Sequence, residues 1–415
     1  MIYPLTGLSI RANQMSSGQS DIMLSSQPQM ALDGVRNQIR SIPLENIAAL
    51  AKSAFNNKEI IPLWFGEGDV TTPEFIGRAI YDAMLAGNTF YSHQNGIPEF
   101  RQIMADYLTG LNAAPVEMAR ITVTSGGMPA IMLAVQLTVN AGDNVIIIDP
   151  VWPNITGIVQ MVGGQTRSVR MDLTDDGWIL DVEKVAAACD GRTKAIFFAS
   201  PGNPTGAVLS VEVQKQLLDL GRKTGIWIIS DEVYCRMSFD QIVVPSFLDI
   251  SEPEDRVLIV NSFSKSWSMT GSRLGWIVHP PSLEATMALM VQYTTSGTTT
   301  YLQYGGMAAI REGEEFVKFM TGYCRKGMEI VCDALDEIPR VTLRRRPTAA
   351  MYAFFEIDGM EDSKQACLDI LESSKVGLAP GYFFGKGSEK FLRLCFCRSP
   401  EQLQVAMERL KAALR

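Results

Sequence analysis

Ser262-Phe263-Ser264-Lys265-Ser266-Trp267-Ser268-Met269-Thr270-Gly271-Ser272-Arg273-Leu274-Gly275 lies between two apolar runs, Val257 to Val260 and Leu274 to Val278. A strand that empties into several hydroxyls, one lysine, a glycine and an arginine suggests a phosphate-bearing ligand. It also suggests a lysine kept for more than its charge. On either side of this stretch the chain alternates between short β-branched runs and longer helical patterns. Strands are expected near Ile121–Thr124, Val145–Ile148, Thr166–Val169, Ala195–Phe198, Ile226–Ser230, Val257–Val260 and Leu274–Val278. Helical stretches such as Pro129–Val139 and Val211–Thr224 lie between them. Strands that are apolar almost throughout and separated by helices indicate an α/β fold with a mainly parallel, seven-stranded sheet between helices. Ligands of such sheets bind outside the carboxyl ends of the strands. Those ends carry Ser125-Gly126-Gly127, Asp149-Pro150, Ser200-Pro201-Gly202-Asn203, Asp231 and Ser262, so polar groups converge on one rim.

Beyond residue 300 the texture changes to α+β. Long helices are expected over 301–336, a strand over Ala349–Ile357, a helix over 363–374, a strand over Phe391–Cys397 and a last helix over 400–414. The expected organisation is a flexible N-terminal arm (1–30), a large domain (66–296) and a smaller α+β domain (31–65 with 297–415). Apolar positions Leu44, Ile47, Ala48, Leu50 and Ala51 recur at helical spacing after Pro43. At 415 residues the chain can bury a large core, and 47% apolar with 20% charged residues is ordinary for a soluble enzyme. A net charge of −8 argues against a nucleic-acid surface. No apolar run approaches the roughly 20 residues of a membrane helix. The N-terminus lacks the charged-then-apolar order of a signal peptide, and a cytoplasmic location is expected. Seven scattered cysteines in apolar neighbourhoods fit reduced thiols. With only His93 and His279 present, and neither near Cys395 and Cys397, no metal is expected.

Three motifs, Ser-x-Ser-Lys-x5-Gly-x-Arg-x-Gly at 262–275, Pro-Gly-Asn-Pro-Thr-Gly at 201–206 and Asp-Glu-x-Tyr at 231–234, occur in order. Together they resemble the class I/II pyridoxal-phosphate aminotransferases, enzymes of fold type I, from about Ile60 to Arg393. The resemblance implies pyridoxal 5′-phosphate as cofactor and Lys265 as the lysine that forms a Schiff base with it. A desolvated lysine has a lowered pKa and can act as nucleophile and then as base. Asp231, ending an apolar strand, would keep the cofactor's ring nitrogen protonated; Tyr234 and Asn203 would reach its phenolic oxygen. Gly126, Gly127 and Met128 open a helix directly after a strand, where free N–H groups favour an anion. With Ser262, Ser264 and the bidentate fork of Arg273 they would hold the phosphate. Trp152 stands where the family places an aromatic on the cofactor ring; tyrosine is the usual residue there. Tyr91 looks like the tyrosine that relatives contribute to the phosphate from a partner subunit, which implies a homodimer with shared active sites.

Arg393, set between apolar residues, matches the arginine that grips the substrate α-carboxylate, with Gly66 letting its backbone approach the same group. The expected reaction is ping-pong transamination between an L-α-amino acid and a 2-oxo acid. Met128 stands where relatives that prefer acidic substrates often carry lysine, and Val291–Thr300 contains no arginine. Both favour a neutral or aromatic side chain. An arginine of the arm (Arg11, Arg36 or Arg40) would restore an acidic preference. A fold-type I lyase or synthase, such as a C–S β-lyase or an aminocyclopropane-carboxylate synthase, shares nearly every cofactor residue and is the alternative.

Overall fold

The structure, a computed structural model, describes residues 33–43, Ile47, Ala51 and 57–414. The expected arm (1–30) lies outside the described residues, as does most of the helix expected after Pro43, of which Ile47 and Ala51 are helical. The chain forms two units divided after Pro43. The described part of the first is a short helix, Asn37–Arg40, with an ion pair between Arg40 and Asp33 at 3.8 Å.

The second unit is built on a seven-stranded sheet. Its strands are β1 (Ile121–Thr124), β2 (Asn144–Asp149), β3 (Gln165–Arg170), β4 (Thr193–Ala199), β5 (Trp227–Asp231), β6 (Val257–Ser262) and β7 (Gly275–Val278), in spatial order β1-β7-β6-β5-β4-β2-β3. All seven coincide with strands expected from the sequence, within a residue or two at each end. Alternation along the central strands sends successive apolar side chains to two covered faces; β3, at the sheet edge, is mostly polar, with Val169 its one buried position. Ile146, Ile148, Ile196, Phe198, Ile228 and Ile259 pack into one core. Val145, Ile147, Phe197, Ile229, Leu258 and Ile277 pack into another. Two helices flank the sheet's polar rim in sequence, α1 (Gly127–Thr138) and α2 (Val211–Thr224). β7 is antiparallel to both neighbours. Residues 263–274 supply only a 3₁₀ turn between β6 and β7, too little for the crossover helix that a parallel return requires.

A second sheet has its own core. It contains β8 (Val341–Thr342), β9 (Tyr352–Ile357), β10 (Ala379–Pro380) and β11 (Phe391–Cys395), ordered β8-β9-β11-β10 and antiparallel throughout. The long helices expected over 301–336 are Thr300–Glu312 and α3 (Glu314–Asp336), divided at Gly313. Two strand bounds need correction here. The strand expected from Ala349 begins at Tyr352, because Ala350 adopts φ 65°, a left-handed conformation that cannot continue a ladder. The strand expected to reach Cys397 ends at Cys395, although both thiols are buried and unpaired. Among the described residues no helix is long and apolar enough to cross a membrane. None of their His, Cys, Asp and Glu side chains cluster in a way that could hold a metal.

Glu232, directly after β5, is a buried carboxylate that accepts hydrogen bonds from the hydroxyls of Ser246 (2.7 Å) and Ser230 (3.0 Å). Burial pushes its pKa up to about 7 against those two donors. A raised carboxylate pKa means the folded chain keeps a proton that the unfolded chain has released. Stability is therefore full at low pH and falls as pH rises from about 4.5 to 7. Glu232→Gln should remove this dependence. Urea unfolding at pH 5 and pH 8 is expected to show up to about 3 kcal/mol less pH-linked loss in the variant than in the wild type. Equal losses in the two proteins would rule out an uncharged Glu232.

Candidate active site

Lys265 follows β6 by three residues, in the turn that reverses the chain into β7. Its Nζ donates to the carbonyl of Gly66 and lies 5.9 Å from the ring centre of Tyr234. Burial lowers its pKa; nearby Cys395, Glu67 and Cys397 oppose that shift and Arg393 adds to it. The amine is thus biased toward the neutral, nucleophilic form. A cavity of about 290 Å³ opens beside it, lined by Glu67, Ser264, Thr270, Met320 and Cys397 among others.

Asp231 is the last residue of β5, and β5 pairs with both β4 and β6, which places this carboxylate between the ends of central strands. It is buried and accepts from the Val233 N–H at 3.2 Å. Burial raises its pKa to about 6, against that bond and the charge of Lys265. A buried carboxylate with so little local compensation is suited to a cationic N–H donor.

The glycine turn expected to hold the phosphate forms where β1 and β7 run side by side. Gly126 caps α1 at φ 109°, and no side chain caps the helix, so its first N–H groups face outward. A Cβ on Gly126 would lie 2.8 Å from Arg273 Nη2, and one on Gly275 2.8 Å from the Gly126 carbonyl carbon. Only glycine lets the guanidinium approach this turn. Arg273 itself adopts φ 48°, and its Nη1 donates to the Thr270 carbonyl at 2.8 Å. Ser262 and Ser264 are buried, with the Ser264 N–H donating to the Ser262 hydroxyl at 3.1 Å; Gly127 faces Ser262. Met128 and Trp152 are partly buried against the same core, and Asn154 approaches the Met128 sulfur at 4.0 Å.

Arg393 on β11 is buried. Its Nη1 donates to Asn203 Oδ1 at 3.0 Å and its Nη2 to the Trp64 carbonyl, while its buried Nε has no hydrogen-bond partner. The guanidinium lies between two rings, 4.6 Å from Tyr352 and 4.8 Å from Phe384. Tyr234 and Tyr352 share a hydrogen bond at 2.5 Å. Lys265, Gly66, Tyr234, Asn203 and Arg393 therefore meet in one group. Tyr91 does not join it and is 91% exposed on this chain. The sequence reading missed Tyr352, Trp64 and Phe384. A tyrosine inside a buried strand signals a hidden hydroxyl partner. Its approach to Arg393 becomes visible only through the β9–β11 register, which pairs Phe354 with Arg393 and sets Tyr352 diagonally on the same face.

These residues fit pyridoxal phosphate on their own chemistry. They present an amine biased to neutrality, a buried carboxylate short of donors, a glycine turn packed against an arginine, and a buried arginine nitrogen without a partner.

Residues 59–410 match the family model for aminotransferase class I and II. The chain is 31% identical over 388 residues to the probable aspartate/prephenate aminotransferase of Aquifex aeolicus, covering 91% of this chain and 97% of that one. Its fold superposes on the crystal structure of aspartate aminotransferase from Thermotoga maritima with a TM-score of 0.84, at 30% identity over 91% of this chain and 99% of that one. Against aspartate aminotransferase from Thermus thermophilus with maleate the TM-score is 0.85, at 28% identity over 92% of this chain and all of that one. A sheet of this order, a rim with this donor set and a match across most of the chain agree: the chain belongs to the class I and II aminotransferases and is a fold-type I enzyme that uses pyridoxal phosphate.

Proposed function

We propose that the chain transfers amino groups between an L-α-amino acid and a 2-oxo acid in ping-pong order, the first product leaving before the second substrate binds. When bound, pyridoxal phosphate supplies an aldehyde that condenses with amines and a protonated ring that draws electrons from the substrate Cα. Lys265 Nζ is the amine that holds the cofactor at rest and, once displaced, takes the proton from Cα. Asp231 keeps the ring nitrogen protonated, and Tyr234 with the amide of Asn203 donates to the phenolic oxygen. Gly126, Gly127, Met128, Ser262, Ser264 and Arg273 grip the phosphate. In a homodimer with shared sites the partner subunit's Tyr91 adds to that grip; its exposure on a single chain supports this. Arg393 and the backbone of Gly66 take the α-carboxylate. Residues 66–296 act as the large, cofactor-binding domain, and 31–65 with 297–415 as the smaller one.

The observation that carries the reading is the unpartnered Nε of a buried Arg393, held in the same group as Lys265. A charge so enclosed is costly unless a carboxylate meets it. Met128 and Trp152 are both apolar and partly buried, which supports a neutral or aromatic substrate side chain. The names of the relatives favour the second reading, aspartate. Arg11, one source of a distal-carboxylate partner, lies outside the described residues, and Arg36 and Arg40 belong to the first unit. A panel of amino acids offered with and without a 2-oxo acid separates the readings. Acceptor-dependent product from aromatic or aliphatic donors at a higher kcat/KM than from aspartate is expected. The reverse order would establish aspartate, and pyruvate plus thiol without acceptor would mean elimination.

A further inference from the structure

We propose that Tyr352 is a positioning residue for this reaction, holding the guanidinium of Arg393 and the hydroxyl of Tyr234 as one rigid unit. The inference rests on the reading above, in which those two groups face substrate and cofactor. Tyr352 is fully buried, and three contacts define its place. Its ring lies 4.6 Å from the guanidinium carbon of Arg393, with Phe384 at 4.8 Å from the same carbon. Its hydroxyl is 2.5 Å from that of Tyr234, the two rings meeting edge-on with centres 5.7 Å apart. The same hydroxyl fills the space that a Cβ on Gly66 would need, beside the backbone whose carbonyl accepts from Lys265.

Proton bookkeeping at the tyrosine pair sets a direction. Burial raises the pKa of both hydroxyls, so both keep their protons at working pH. Each hydroxyl has one hydrogen to donate, and only one of the two can occupy the shared bond. The charge of Arg393 opposes burial at both hydroxyls, but the guanidinium lies directly against the Tyr352 ring at 4.6 Å, whereas the Asp231 carboxylate helps Tyr234 hold its proton; Tyr352 is thus the better donor. With Tyr352 donating to Tyr234, the Tyr234 hydrogen is turned outward, free to reach the cofactor's phenolic oxygen. Tyr352 touches no reacting atom in this arrangement and acts through its two neighbours.

The test is a pH titration of the visible absorption of the bound cofactor in purified holoenzyme. It compares wild type, Tyr352→Phe, Tyr234→Phe and the double variant. Phenylalanine keeps the ring against Arg393 and removes only the hydroxyl. Tyr352→Phe is expected to raise the apparent pKa by about half a unit to one unit, the scale of one hydrogen bond. Tyr234→Phe should raise it further, and the double variant should match Tyr234→Phe alone, because Tyr352 then has nothing to orient. The double variant leaves no hydroxyl unpaired, so the cycle remains readable if Tyr352→Phe alone folds poorly. An unchanged titration in Tyr352→Phe, or a double variant shifted beyond Tyr234→Phe, would overturn the proposal. An unchanged titration in Tyr234→Phe would instead overturn the underlying placement of Tyr234.

Discussion

Lys265→Ala is expected to stop turnover while leaving the protein folded and able to hold the cofactor's phosphate. Removing a positioned general base alone costs ~10²–10⁴-fold. In the proposed reaction the same side chain also supplies the amine that holds the cofactor, so the larger figure is the expectation. The fold should tolerate the change. Burial already works against the charged form of this lysine, and its Nζ hydrogen bond is to a single carbonyl, that of Gly66. The glycine turn, Ser262, Ser264 and Arg273 make no use of the Lys265 side chain, so the phosphate grip should survive. Steady-state transamination and cofactor content, measured on the same preparation, check both halves. Near-normal turnover in this variant would remove Lys265 from the chemistry.

Arg393→Ala should have the second largest effect, and it should depend on the substrate. Truncating one partner of a buried, hydrogen-bonded charge pair typically costs about 2–5 kcal/mol, so kcat/KM for an α-amino acid should fall by roughly 10²–10³-fold. An amine of the same side chain lacking the carboxylate should lose little. Arg393→Lys is not expected to rescue. A lysine lacks the planar fork that reaches Asn203, the Trp64 carbonyl and a carboxylate at once, and it would stack less well between Tyr352 and Phe384. Equal losses for the amino acid and the amine would show that Arg393 serves packing and not the carboxylate.

Much of this site was legible before any coordinates because its chemistry is local in sequence. Ser262, Ser264, Lys265 and Arg273 fall within one reversing segment, and Asp231 and Tyr234 within four consecutive residues. The central strands could be read because both faces of the sheet are buried there, which forces near-continuous apolar runs. The break at Gly313 and the late start of β9 could not be read that way. Each follows from a single backbone position, and at neither does the apolar pattern change.

What the sequence determined by itself was the neighbourhood of Lys265, the strand count and the family, because short motifs and apolar periodicity survive without any knowledge of pairing. Only the tertiary structure decided what surrounds Arg393. Asn203, Trp64, Tyr352 and Phe384 come to it from four separate segments, 190 and 329 residues away for its hydrogen-bond partners Asn203 and Trp64. Contacts of that kind depend on strand register and loop closure, which a linear chain does not display. They turn a buried charge into a fixed fork with one nitrogen left to offer.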